Sequence, residues 1–139
     1  MAESMVELTP SYELENQLLD DDHRRLVDPI NAVVQALDEG RPEDCVKLVP
    51  EFVEVAKKHF KREEALLEHY GYPEIQKHRD HHMGLDDKMD TMLMLAGNSA
   101  ENETARQSLR KELIYFLMDD VINADLDFKG FLAAAAAHE

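Results

Sequence analysis

Apolar residues recur every three or four positions along four segments of the chain, which are separated by breaks at glycine. The breaks lie at Gly40, Gly71 and Gly97, and a proline follows the first two glycines by two residues. A glycine that ends one helix and a proline that begins the next are ordinary boundary signals. Steps of three and four place side chains on one face of a helix. The pattern therefore predicts helices over residues 18–38, 43–70, 74–96 and 102–129.

Four amphipathic helices with short connections predict an all-α protein, an antiparallel up-and-down four-helix bundle. The chain has 139 residues, of which 44% are hydrophobic, which suffices for one core in one domain. We expect an N-terminal arm over residues 1–18, the bundle over 19–131 and a C-terminal tail over 132–139. Because proline removes a backbone hydrogen bond, we also expect a kink or break at Pro29, and a similar effect near Pro50.

Charge narrows the range of partners. Lys and Arg total 15 against 30 for Asp and Glu, which gives a net charge of −15. A field of that sign repels nucleic acid and anionic membranes, and no apolar run is long enough to span a bilayer. The first ten residues resemble no secretory signal, and Cys45 is the single cysteine, so it has no disulfide partner in the chain. We expect a cytoplasmic monomer or weak homo-oligomer without nucleic-acid or membrane partners.

Five polar residues stand in the apolar stripes where a packed core carries leucine: His23, His59, Glu63, His78 and His82. Burying each one unpaired would cost about 1–3 kcal/mol. Either pair spaced four apart, His59 with Glu63 or His78 with His82, would alone be assigned to a solvated helix surface. Together, on three converging faces, they favour a shared metal centre. Four other residues are assigned to the surface: His69, His81, His138 and Glu64.

The donor types limit the metal. Imidazole and carboxylate ligands suit iron, manganese or zinc, and the absence of cysteine from the stripes excludes a thiolate zinc site. A carboxylate such as Glu63 can bridge two cations, so we expect two ions rather than one.

The runs LDDDHRRLVDPIN, HFKREEALLEHYGYP and HRDHH resemble those of hemerythrins, in particular single-domain bacterial hemerythrins. The resemblance covers the chain from about Leu19 to about Phe128. It implies a four-helix bundle with a non-haem di-iron centre, two iron ions with a bridging oxo or hydroxo group, that binds O2 reversibly. By position it implies that His23 and His59 hold the iron with an open coordination position, that His78 and His82 hold the other iron, and that Glu63 and Asp125 bridge them.

The fourth predicted helix, FLMDDVINADLDF, departs from the family pattern. Asp120 stands where the resemblance implies a fifth histidine. Three outcomes are open: Asp120 coordinates the metal, water opens a second reactive position, or the metal binds weakly and leaves a single-iron or mixed-metal site, manganese included. An exposed carboxylate is the alternative, but we include Asp120 among the candidate metal ligands. Coordination by a carboxylate would stabilise ferric iron and speed autoxidation.

The leading expectation is a protein that binds O2 reversibly for storage, delivery or sensing. The alternative is a di-iron enzyme that acts on O2, peroxide or NO, oxidase-like or peroxidase-like, through a more carboxylate-rich site. A metal-buffering or regulatory module is a third possibility. We expect an O2-binding protein rather than an enzyme.

Overall fold

Helices account for nearly all of the chain that the computed structural model describes, residues 10–14 and 16–137. The elements, in chain order, are a 3₁₀ turn (Pro10–Tyr12), α1 (Gln17–Asp38), a 3₁₀ turn (Pro42–Asp44), α2 (Cys45–His69), α3 (Ile75–Asn98), α4 (Glu103–Tyr115), a π-helical segment (Phe116–Asn123), a 3₁₀ turn (Leu126–Phe128) and α5 (Lys129–Ala137). The all-α prediction is confirmed. The fourth predicted helix is not one α-helix, because it widens into the π segment after Tyr115.

Local chemistry explains where the long helices begin and end. The side chain of Asn16 accepts a hydrogen bond from the Leu19 amide at the start of α1, and Asn102 does the same for Ala105 at the start of α4. Asparagine is a preferred residue at this capping position. Gly40 and Gly71, which follow α1 and α2, have φ angles of +73° and +72°. This left-handed backbone favours glycine, so two of the predicted breaks coincide with helix ends.

The two internal prolines do not interrupt their helices. α1 is continuous through Pro29, and α2 is continuous through Pro50. The expected break is therefore absent. Leu26, three residues before Pro29, and Ile30, directly after it, are fully buried in the core. The free energy gained by burying both side chains outweighs the loss of one backbone hydrogen bond.

The helices pack as a bundle: α1 contacts α2, α2 contacts α3, α3 contacts α4, and α1 also contacts α4. Among the described residues, the apolar interior forms two clusters. The larger cluster includes Leu26, Phe60 and Leu85, and the smaller one includes Leu19 and Leu67. Within the described residues, no helix is long and apolar enough to cross a membrane.

The arm and tail predicted for the chain ends are described only in part. Residues 1–9, 15 and 138–139, and with them His138, lie outside the described residues. α1 begins at Gln17, and residues 132–137 continue α5. Leu132 is buried in the smaller cluster. The domain boundaries stay a prediction.

Candidate metal centre

A buried polar layer separates the two apolar clusters. Along α1, His23 lies between Leu19 of the smaller cluster and Leu26 of the larger one, and along α2, Glu63 lies between Leu67 and Phe60. The layer contains all but one of the predicted ligands: His23, His59, Glu63, His78, His82 and Asp125. None of these six residues is more than 8% exposed. Helical spacing of apolar residues on both sides therefore places the polar residues inside the bundle.

The six residues form two overlapping groups of four. One group is His23, His59, Glu63 and Asp125, and the other is Glu63, His78, His82 and Asp125. In each group one ligand atom from every residue lies within 4.8 Å of the others. Each group thus has two imidazoles of its own and shares both carboxylates.

Asp125, which follows the π segment, faces histidines from three helices. Its Oδ2 lies 2.8 Å from His23 Nε2 and 3.3 Å from His59 Nε2. Its Oδ1 lies 3.6 Å from His78 Nε2. One carboxylate on the last part of the bundle therefore reaches the other three helices.

Glu63, on α2, is the second carboxylate of the layer and, like Asp125, faces histidines from more than one helix. His59, one turn earlier, places Nε2 at 2.9 Å from Glu63 Oε2. On α3, His82 Nε2 lies 3.2 Å from Glu63 Oε1, and His78 Nε2 contacts the same oxygen. All four imidazoles therefore turn Nε2 towards the two carboxylates.

The pKa values show how strongly this layer retains protons. Burial, followed by the neighbouring Asp125 carboxylate, raises the pKa of Glu63 to about 8. Burial would also raise the pKa of Asp125, but hydrogen bonds to Glu63 and His23 lower it overall. Burial would lower the pKa of His59, yet its bonds to Asp125 and Asp22 raise it well above the usual value. Without a cation, Glu63 and His59 therefore retain protons to a higher pH than usual, and a bound cation would displace them.

The donor set fits a metal pair. Among the described residues, no hydrogen bond of good geometry reaches two buried atoms, His82 Nδ1 and Glu63 Oε2, although His59 Nε2 lies 2.9 Å from the latter. A buried carboxylate oxygen left without a partner is costly, and coordination to a cation removes that cost. Four imidazoles and two carboxylates without thiolate suit iron or manganese, and shared carboxylates hold two cations close together.

Asp22 is a functional candidate that the sequence analysis did not identify. Its fully buried carboxylate accepts two hydrogen bonds from Arg62, both 2.8 Å, and one from Arg25, 3.0 Å. It also lies 3.3 Å from His59 Nδ1. Because a carboxylate only accepts, His59 carries its hydrogen on Nδ1 and leaves Nε2 free for a metal. The signal was available, since Asp22 lies three residues before Arg25 and one helical turn before Leu26 on the buried face.

Asp120 is the predicted ligand that the structure does not bring to the centre. Its Oδ2 lies 2.6 Å from Lys88 Nζ, and it belongs to neither group of candidate ligands. The nearby His81, assigned to the surface from the sequence, is half-buried and donates its Nε2–H to the Asp120 carbonyl at 2.7 Å. In this structure the Asp120 carboxylate pairs with Lys88 and lies outside both groups, and its role as a metal ligand stays a prediction.

A buried set of imidazoles and carboxylates at the centre of a helical bundle defines the class of the protein, a helical metal-binding domain. The chain matches the family model of the hemerythrin HHE cation-binding domain over residues 15–125 and belongs to that family. The resemblance to hemerythrins is confirmed at this level. Comparisons with curated proteins and with solved structures gave no match.

Proposed function

We propose that the chain is a non-haem di-iron protein that binds O2 reversibly. The observation that carries this proposal is the overlap of the two ligand groups at Glu63 and Asp125. Two shared carboxylates supply negative charge to both positions, while two histidines complete each one. That arrangement suits a pair of divalent ions better than a single ion.

Iron is the metal that we propose from the donor set and the family. When bound, a di-iron pair supplies the electrons that reversible O2 binding requires. The residues hold and shield it: Asp22 orients His59, and the fully buried Leu19 and Leu26 exclude water on either side of His23. Manganese or a mixed pair would use the same ligands.

The contacts between successive helices support an antiparallel up-and-down topology. The connections between the four helices span only residues 39–44, 70–74 and 99–102. Short connections favour antiparallel neighbours. We also propose, from the quoted sequence runs, that the chain resembles bacterial hemerythrins, with Asp120 in place of the helix-4 histidine.

A di-iron enzyme that acts on O2, peroxide or NO is the second candidate. The observation that favours it is that His78 and His82, although buried, each line a surface cleft. The earlier reason for this alternative, an additional carboxylate ligand, is not supported by the position of Asp120.

The test is to load the protein anaerobically with ferrous iron, measure iron per chain, and record the absorption spectrum as O2 is added and removed. About two irons per chain and a visible band that disappears under vacuum support reversible binding. Irreversible oxidation without that band favours the enzyme. His59→Ala should lose iron, whereas the matched variant His69→Ala, at an exposed site, should retain it. Less than one iron per chain in the parent protein would refute the proposal.

A further inference from the structure

The main chain of Asp120 lies beside the candidate metal centre. His81 donates its Nε2–H to the Asp120 carbonyl at 2.7 Å. On α3, His81 directly precedes the candidate ligand His82 and follows His78 by three residues. The centroid of the His81 ring lies 6.1 Å from that of His82 and 6.3 Å from that of His78. Asp120 is therefore anchored through its carbonyl at the level of two candidate ligands.

The carboxylate of Asp120 is held by a different residue of the same helix. Its Oδ2 lies 2.6 Å from Lys88 Nζ. Lys88 follows His82 by six residues, or about 9 Å along the helix axis. The bond to Lys88 therefore directs the carboxylate towards the C-terminal part of α3. The Asp120 carboxylate accordingly belongs to neither group of candidate ligands.

The pair of Lys88 and Asp120 is stronger than an ordinary surface ion pair. The Asp120 side chain is only 12% exposed, and that of Lys88 is 42% exposed. Lys88 Nζ also lies 5.3 Å from the centre of the Tyr115 ring, which favours a cation at that place. A short hydrogen bond between two charged groups with little access to water is among the stronger polar contacts in proteins.

The group that contains His78 and His82 has room for another donor. Apart from the two imidazoles it has only the carboxylates that it shares with the other group, and among the described residues no further side chain joins it. Iron held by two histidines and carboxylates keeps open coordination positions. A change of rotamer would move the Asp120 carboxylate while its main chain stays bonded to His81. Lys88 and a bound ion therefore compete for the same carboxylate.

We propose that Lys88 is a positioning residue that controls whether Asp120 coordinates the ion at His78 and His82. With the ion pair intact, the carboxylate stays on the lysine, and one coordination position is left for water or another small molecule. Without the lysine, Asp120 turns to the ion and fills that position. The proposal rests on the proposed iron centre and adds the residue that keeps one of its positions open.

The experiment measures the affinity of the full-length protein for cobalt(II) by competition with a coloured chelator, together with the visible absorption of the bound cobalt. Lys88→Met removes the charge and keeps a side chain of similar shape. It should bind cobalt roughly 3- to 10-fold more tightly, because a charged hydrogen bond no longer competes for the carboxylate. The visible bands should shift, because the ligands of the ion change. Asp120→Asn in the Lys88→Met background should abolish both changes.

Two control variants separate coordination from a general effect of charge. Lys77→Met loses the same charge on the same helix, at an exposed position next to His78. It should keep the visible bands of the parent and change the affinity less than Lys88→Met does. Lys88→Arg retains a cation for the ion pair and should behave as the parent does.

Iron per chain, measured first in the parent, distinguishes the two proposals. If the parent binds about two irons but Lys88→Met leaves cobalt affinity and bands unchanged, the role of Lys88 is wrong and the iron centre stands. Tighter binding with unchanged bands would show that the released carboxylate acts only through its charge, which also overturns the proposal. Weaker cobalt binding by Asp120→Asn alone would show that Asp120 coordinates despite Lys88. A parent with less than one iron per chain would refute the proposed function, and this proposal with it.

Discussion

Replacing Asp22 by asparagine removes a buried charge while it preserves the shape of the side chain. In the parent protein this carboxylate accepts hydrogen bonds from Arg62 and Arg25 and lies 3.3 Å from His59 Nδ1. Asparagine presents one acceptor and one donor in place of two acceptors. The variant therefore weakens the orientation of His59 without opening a cavity.

Two effects of Asp22→Asn can be separated by size. Loss of an outer partner of a metal-bound histidine typically lowers metal affinity about 10- to 100-fold, or roughly 1.4–2.7 kcal/mol. We expect a loss of that size for the metal-loaded protein. The folding cost should be smaller than for a fully buried ion pair, because the side chains of Arg62 and Arg25 are 39% and 62% exposed. Water can therefore solvate both guanidinium groups, and we expect a cost of about 1–2 kcal/mol.

The assay is anaerobic competition for ferrous iron between the protein and a coloured chelator, together with urea unfolding of the metal-free protein. Asp21→Asn is the matched control, because Asp21 is the adjacent residue, loses the same charge and pairs with exposed Arg24. Its iron affinity should match that of the parent. If Asp22→Asn lowers stability but changes iron affinity less than twofold, Asp22 is only part of a structural ion pair and the argument about His59 is wrong.

Two further predictions concern Asp120 and pH. Asp120→Ala should leave iron per chain unchanged. It should lower the free energy of unfolding in urea by less than about 1 kcal/mol, because the carboxylate pairs with the partly exposed Lys88. Loss of one iron per chain would instead show that Asp120 is a ligand. In the metal-free protein the raised pKa values of Glu63 and His59 mean that the folded state binds protons more tightly than the unfolded chain. The contribution of Glu63 to stability is present at low pH and is lost as the pH rises from about 4.5 through about 8, and that of His59 is lost only above its usual pKa of 6.5. The rise in Tm on adding cobalt(II) should therefore be larger at pH 8 than at pH 6, and an equal or smaller rise would contradict this sign.

Much of the site could be predicted because the helical periodicity of the apolar residues indicates which face of each helix is buried. Histidines at 23, 59, 78 and 82 and Glu63 share the phase of the apolar residues around them, and the structure places them in one buried layer. Asp125 could not be predicted in this way, and only the resemblance to hemerythrins identified it as a candidate ligand. Its position depends on the π segment and the following 3₁₀ turn, and neither change of helix type follows from a pattern of 3.6 residues per turn.

Long-range ion pairs set the positions of two carboxylates in ways that the sequence does not reveal. Asp120 was a candidate ligand because of its position in the family pattern, but Lys88, 32 residues earlier, holds its carboxylate. Asp22 was passed over because it stands in a run of three aspartates, which is typical of a solvated surface. Arg62, 40 residues later, makes its burial possible. Sequence periodicity cannot identify which distant charge will neutralise a carboxylate.

The π segment (Phe116–Asn123) makes the number of residues in the last part of the bundle as important as their identity. A π turn holds about one residue more than an α turn over the same rise, so the segment acts as an insertion within an α-helix. Deleting one residue there would allow ordinary α-helix to form with the following residues close to their present orientation. Converting the segment to α-helix at unchanged length would instead rotate everything after it by about 100°. Asp125 would then leave the polar layer while α4 kept its packing. A variant that converts this segment to α-helix at unchanged length would therefore disrupt the metal centre without altering any of its ligands, and a one-residue deletion in the same segment would restore the position of Asp125.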